Sequence, residues 1–335
     1  MEAQRAGSGN LVQIASPSLT GIARLAAAGG ILAEKRKVEY RSLPTRNWLN
    51  RCNSQRVPFQ WTINPYRGCE YGCKYCYARF THEFLERRGR DDFETEIYAK
   101  EWDRRAFLAE LRTLNPGDVI AIGTATDPYQ PAERKFGLTQ QVLDAMLLVR
   151  GMRICLTTKS NLVARDVVLL KNLSTYNDVS VAMTVTTMDR KLARLLEPNA
   201  PRPDLRMKAV AKLAQADVHV GVLASPVIPL LTDSEKNLEA VARAAQQAGA
   251  TRFGAGVLFL KPAAQRVFFP FLSEKFPQHL ERYRANYAAG AYLKGLYPDR
   301  IGALVESIRR RVGILSRDLE AMRPPTPPEA QFSLF

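Results

Sequence analysis

Three cysteines within eight residues constrain this 335-residue chain more than any other feature. They stand in Asn64-Pro65-Tyr66-Arg67-Gly68-Cys69-Glu70-Tyr71-Gly72-Cys73-Lys74-Tyr75-Cys76-Tyr77, at spacings of four and three residues. The chain has five cysteines, too few for its size to act as a disulfide scaffold, and clustered thiols of this kind point to a metal. Gly68 and Gly72 let the backbone turn closely around a bulky group. Zinc sites of four cysteines usually come as two separated CxxC pairs, and no second pair follows here. Three thiolates around an iron–sulfur cubane leave one iron open to a substrate or cofactor. The alternative is a zinc loop completed by His82 of Thr81-His82-Glu83.

From residue 60 onward, short apolar runs alternate with helical patterns. The expected strands are Thr62–Tyr66, Val119–Ala125, Arg153–Thr158, Val179–Val185, His219–Ile228 and Phe253–Leu260. Helices are expected over Ala78–Arg87, Arg104–Leu114, Thr139–Val149, Val163–Leu173, Leu205–Gln215 and Glu235–Ala248. The strands read as apolar on both faces, as in Val119-Ile120-Ala121-Ile122, which suits strands covered by crossover helices. Strict βα alternation predicts a parallel sheet with right-handed crossovers. The expected class is α/β, a partial (β/α)6 TIM-like barrel with a basic N-terminal extension and a helical C-terminal region. Residues 1–35 read as a poorly ordered N-terminal segment with a short helix near Ile22, 36–59 as a basic lead-in of strand and loop, and 60–262 as the core. Residues 263–322 read as helical, including Glu281–Ala289 and Ile301–Leu319, and 323–335 as a Pro-rich linker and terminal peptide.

Charge narrows the partners. The chain has 48 Lys and Arg against 33 Asp and Glu, a net +15. Such a field attracts polyanions, of which nucleic acid is the commonest, although a plain solubility charge gives the same count. No run of 18 apolar residues occurs, and Leu19–Ala33 is too short to span a bilayer and is interrupted by Arg24. It also lacks the basic-then-apolar order of a secretory signal. The expectation is a cytoplasmic protein with no membrane partner.

With Cys69, Cys73, Cys76 and the adjoining Tyr77, the loop resembles the CxxxCxxC signature of the radical S-adenosylmethionine (SAM) superfamily. Three further stretches are similar to its spore photoproduct lyase-like branch, often labelled "DNA repair photolyase": Asn64–Cys69, Gly123-Thr124-Ala125-Thr126-Asp127-Pro128-Tyr129-Gln130-Pro131-Ala132-Glu133, and Thr157-Thr158-Lys159-Ser160. This resemblance covers about residues 60 to 260. It implies a partial barrel, a 4Fe-4S cluster on the three cysteines, and SAM chelated to the open iron. The implied reaction is reductive cleavage of SAM to a 5′-deoxyadenosyl radical that abstracts hydrogen from a substrate, with a reductant protein supplying the electron.

Chemistry in a parallel barrel sits at the carboxyl ends of the strands. Polar residues expected there are Thr126 and Asp127, Lys159, Thr184, Thr186 and Ser225. On the resemblance, Lys159 is assigned to the SAM carboxylate, Thr126 and Asp127 to its amine, Thr184 or Thr186 to the carboxylate or ribose, and Tyr77 to the adenine; Ser225 is a further cofactor-binding candidate. The chain departs from spore photoproduct lyases at one point: Gly123–Asp127 holds no hydrogen-donating cysteine. Cys155 lies four residues before Lys159, about 13 Å deeper by strand rise, and reads as core; Cys52 reads as a bystander. Thymine-dimer reversal is therefore not expected.

Gln331-Phe332-Ser333-Leu334-Phe335 follows the Pro-rich spacer, and exposed apolar residues at a terminus call for a docking partner. The pattern is similar to the bacterial sliding-clamp binding peptide, with Leu334 and Phe335 filling a pocket and Gln331 at its rim. A terminal strand folding back on the protein's own surface is the plainer reading. Three functional readings follow: a radical SAM enzyme acting on nucleic acid, in DNA repair or modification; the same chemistry on RNA, protein or a small molecule; and a non-catalytic metal-bearing nucleic-acid binder.

Overall fold

The computed structural model describes residues 19–314, apart from residues 36, 55, 56 and 88. Among the described residues eleven strands run in the order β1 Ile31–Lys35, β2 Val38–Leu43, β3 Leu49–Arg51, β4 Trp61–Ile63, β5 Tyr66–Arg67 and β6 Glu96–Lys100, then β7 Val119–Ile122, β8 Arg153–Thr158, β9 Asp178–Thr184, β10 His219–Val227 and β11 Arg252–Val257. One sheet has the order β11-β10-β9-β8-β7-β4-β3. Its strands β4, β7, β8, β9, β10 and β11 are parallel neighbours, and β3 pairs antiparallel at the edge. These six strands are the expected partial barrel.

The helices between them bury one face of each strand. Ile120, Ile122, Ile154, Leu156, Val179, Val181, Val220 and Val222 are almost wholly buried. The opposite face differs from the sequence reading. Thr157, Thr184 and Leu223 border an interior cavity, and by strand alternation Cys155, Ala182 and Gly221 lie on that same face. Apart from Leu223 it is built of small residues that leave room inside. Helix starts are fixed by side-chain caps: Asp103 accepts from the Ala106 N–H (3.0 Å), and Ser234 from the Asn237 N–H (3.3 Å).

A second sheet, ordered β1-β2-β6-β5, was not expected. The run Thr62–Tyr66 divides between the two sheets. Pro65 cannot donate to a ladder, so β4 stops at Ile63 and β5 starts at Tyr66, where the chain pairs with β6 instead (Tyr66 opposite Ala99). The short helix expected near Ile22 is present as Gly21–Ala28, and the strand β1 after it was not expected. After β11 come helices Pro262–Lys275, Leu280–Tyr287 and Leu296–Val312. Among the described residues no helix is long and apolar enough to cross a membrane.

Candidate active site

The cysteine loop leaves β5 and ends in a short helical turn at Tyr77–Arg79. Gly68 opens it with φ +81°, and a Cβ there would stand 2.8 Å from the Glu96 carbonyl oxygen and 2.9 Å from that of Phe93. Only glycine fits. The Cys69 N–H donates to the Phe93 carbonyl (2.8 Å). The Gly68 carbonyl accepts from Thr126 Oγ1 (2.6 Å) and Gln130 Nε2 (2.9 Å). The second sheet braces the far side, where the Tyr40 hydroxyl donates to Glu70 (3.0 Å). Arg79, buried and paired with the half-buried Glu94 (2.6 Å), donates to the Cys73 carbonyl (3.2 Å).

All three thiols line one cavity of about 320 Å³ at the carboxyl ends of the barrel strands. Thr124, Thr126, Asp127, Lys159, Thr184 and Ser225 line it from the barrel, with Tyr77 and Phe259 at its aromatic wall. Burial pushes each thiol above its ordinary pKa, and the nearby carboxylates of Asp127 at Cys69 and Glu197 at Cys73 push in the same direction. A thiolate there needs a positive centre beside it.

Behind the cavity lies a buried charge cluster. Glu197 is 2% exposed and Arg206 1%, and they form an ion pair with each other. Glu197 also accepts from Thr186 Oγ1 (2.7 Å) and from the Tyr75 hydroxyl. Lys159 Nζ stands 3.9 Å from Glu197 Oε1 and 5.7 Å from the Tyr75 ring centroid. Burial alone would raise the Glu197 pKa, but Arg206, Lys159 and the Tyr75 hydroxyl outweigh it and hold the carboxyl at about 2. One carboxylate thus faces two cations. Asp127 takes three bonds, from Thr158 Oγ1 (2.6 Å), the Lys159 N–H (2.7 Å) and the Tyr129 N–H (2.9 Å), and so fixes the end of β8. Its burial raises its pKa.

Residues 63–243 match the profile of the Radical SAM superfamily. The chain belongs to the radical SAM superfamily. An uncharacterized protein of Mycobacterium tuberculosis is 31% identical over 99% of this chain and 97% of its own length. One of Methanocaldococcus jannaschii is 28% identical over 68% of this chain and 82% of its own. Among solved structures, a spore photoproduct lyase variant with bound AdoMet and dinucleoside spore photoproduct superposes with a TM-score of 0.63 at 14% identity. That match covers 88% of this chain and 84% of the lyase, so the two share a fold.

Radical SAM proteins use a 4Fe-4S cluster and SAM. The residues here fit both. Cys69, Cys73 and Cys76 would hold the cluster, whose iron supplies the positive centre that the three thiolates require. Lys159 offers a cation and Asp127 an acceptor to an amino-acid moiety. The zinc alternative does not assemble. His82 Nε2 lies 3.0 Å from the Glu96 carbonyl oxygen, and its ring packs against Phe93 and Tyr98. Among the described residues no three His, Cys, Asp or Glu side chains converge on one metal ion.

Of the residues picked out in the sequence, Tyr77, Thr126, Asp127, Lys159, Thr184 and Ser225 meet at the cavity with the cysteines. Thr186 does not line it, because its hydroxyl turns back to Glu197. Cys155 is buried and accepts from Ser180 Oγ (3.4 Å), as a core residue. Gln331, Leu334 and Phe335 lie outside the described residues. The sequence reading assigned no role to Gln130, Tyr75, Glu197 or Arg206. A buried ion pair has no sequence signal, since each partner alone reads as surface.

Proposed function

We propose that the chain binds SAM against its cluster and acts on nucleic acid. When bound, the cluster and SAM supply the electron transfer and carbon–sulfur cleavage that start radical chemistry. Lys159 receives the SAM carboxylate, with Glu197 holding its ammonium in place. Asp127 faces the SAM amine, and Thr126 steadies the loop that carries Cys69. Thr184 and Ser225 offer hydroxyls to the ribose or carboxylate, and Tyr77 lies against the adenine. Its own hydroxyl donates to the Thr124 carbonyl, which fixes the ring at the cavity wall. A separate reductant protein provides the electron.

The nucleic-acid reading is carried by one observation. A groove of about 520 Å³ is lined by Arg134, Arg194 and Arg202, the last paired with Asp204, and it shares Tyr71 with the cluster cavity. Phosphates lying in that groove would run beside the reaction site. The solved spore photoproduct lyase with its dinucleoside ligand adds support from a protein of the same fold. Thymine-dimer reversal is not part of this proposal, because the cavity has no cysteine besides the three ligands. The test is the rate of 5′-deoxyadenosine formation from SAM by the reduced protein, with and without single-stranded, duplex or damaged DNA. Acceleration by DNA is expected. No response to any nucleic acid overturns the reading in favour of protein or small-molecule substrates.

The terminal Gln331-Phe332-Ser333-Leu334-Phe335 is proposed to dock on a bacterial sliding clamp. Binding of the full chain to a cognate clamp, lost on truncation after Glu329, is the expected result. Equal binding by both forms, or none by either, removes the proposal.

A further inference from the structure

Phe259 follows β11 and lines the cluster cavity, while Tyr292 comes from the loop before helix Leu296–Val312. Their ring centroids are 4.3 Å apart with planes 31° from parallel. The loop is clamped to the end of the barrel by the Leu260 N–H, which donates to the Ala291 carbonyl (2.9 Å). Tyr292 is nonetheless 48% exposed. It borders a second cavity, of about 700 Å³, that shares Leu223, Val257 and Leu258 with the cluster cavity. Gly254 leaves the second cavity's wall without a side chain; a Cβ there would meet Leu223 Cδ2 at 3.1 Å.

Two cations stand beside this apolar space. Lys261 Nζ lies 3.5 Å from the Phe80 ring centroid and 5.9 Å from that of Phe259. Arg309, paired with Glu306, lines the second cavity. An aromatic face with cations beside it suits a nucleotide: the ring takes the base and the cations take the phosphate. An uncharged apolar ligand would not need those cations. A base inside a duplex cannot enter a cavity of this size, so the reacting nucleotide has to leave its stack.

We infer that Tyr292, backed by Phe259, is a stacking platform for an unpaired base of a nucleic-acid substrate at the entrance to the cluster cavity. This rests on the nucleic-acid reading above and names the form in which that substrate is taken. The phenol's π-face carries the contact, and a phenylalanine ring offers the same face.

The experiment uses the anaerobically purified full chain with its cluster. The probe is a single-stranded oligonucleotide bearing one 2-aminopurine, whose fluorescence falls when it stacks. Wild type and Tyr292→Phe are expected to quench it on binding. Tyr292→Ala, and Tyr292→Leu with its apolar bulk retained, are expected to bind roughly 5- to 150-fold more weakly, without the quench. The salt dependence stays unchanged, because no cation is removed. Wild-type affinity and quenching in both variants overturn the platform while leaving nucleic-acid binding intact. Absence of salt-sensitive binding by wild type overturns the nucleic-acid reading and the platform together.

Discussion

Lys159 reaches the cluster cavity with its ammonium 3.9 Å from Glu197, a carboxylate that is also the partner of buried Arg206. The cation facing the cofactor site is therefore set by a group that does not itself line the cavity. This relationship separates two effects that mutation can read apart. Lys159→Met removes the cavity cation but leaves the Glu197–Arg206 pair, so SAM binds roughly 10- to 150-fold more weakly, the worth of one charge-assisted hydrogen bond. The folded state is little affected. Isothermal titration with SAM, beside a denaturant midpoint, checks both statements.

Glu197→Gln is expected to do the opposite damage first. It strands Arg206 as a buried unpaired cation, at a cost of about 3–5 kcal/mol of stability. Lys159 loses its anchor as well. Denaturant unfolding reads the stability loss, and a variant as stable as wild type contradicts the charge cluster described here.

The cluster loop depends on groups that do not touch metal. Gln130 is fully buried and holds the Gly68 carbonyl, the Glu70 N–H and Thr126 Oγ1. Gln130→Leu is expected to lower cluster retention by about 10- to 100-fold, the usual effect of losing a group that orients ligands. Any of Cys69→Ala, Cys73→Ala or Cys76→Ala removes the cluster, and Cys155→Ala leaves it in place. Iron content and visible absorbance after anaerobic reconstitution distinguish them.

His82 gives the fold an acid-side weakness. Burial lowers its pKa from 6.5 to about 4. Between those values the unfolded chain holds a proton that the folded chain does not, so stability falls as pH drops from about 6.5 to about 4 and the loss is complete below. The shift amounts to about 3 kcal/mol. Unfolding midpoints across that range are expected to decline in wild type and to decline less in His82→Gln.

Legibility in the sequence followed physical range. The cysteine loop was readable because its chemistry is encoded in local spacing, and the six parallel strands because apolar runs alternate with helical periods. The division of Thr62–Tyr66 between two sheets turned on Pro65, whose effect depends on which neighbour each half finds. β6 was not read at all, although four of its five residues are buried. Thr184 and Thr186 have the same parity, yet β9 ends at Thr184 and the turn beyond sends Thr186 to Glu197. Glu197 and Arg206 are nine residues apart and would be placed on the surface by their residue types. Their burial follows from long-range packing that no local pattern announces.

The most direct test is to purify the chain without oxygen, count its metals, reduce it and measure 5′-deoxyadenosine formed from SAM. Four irons per chain on Cys69, Cys73 and Cys76 are expected, with SAM cleavage that Lys159→Met weakens. Zinc alone in the purified protein, or a full complement of iron that never cleaves SAM under reduction, would contradict it.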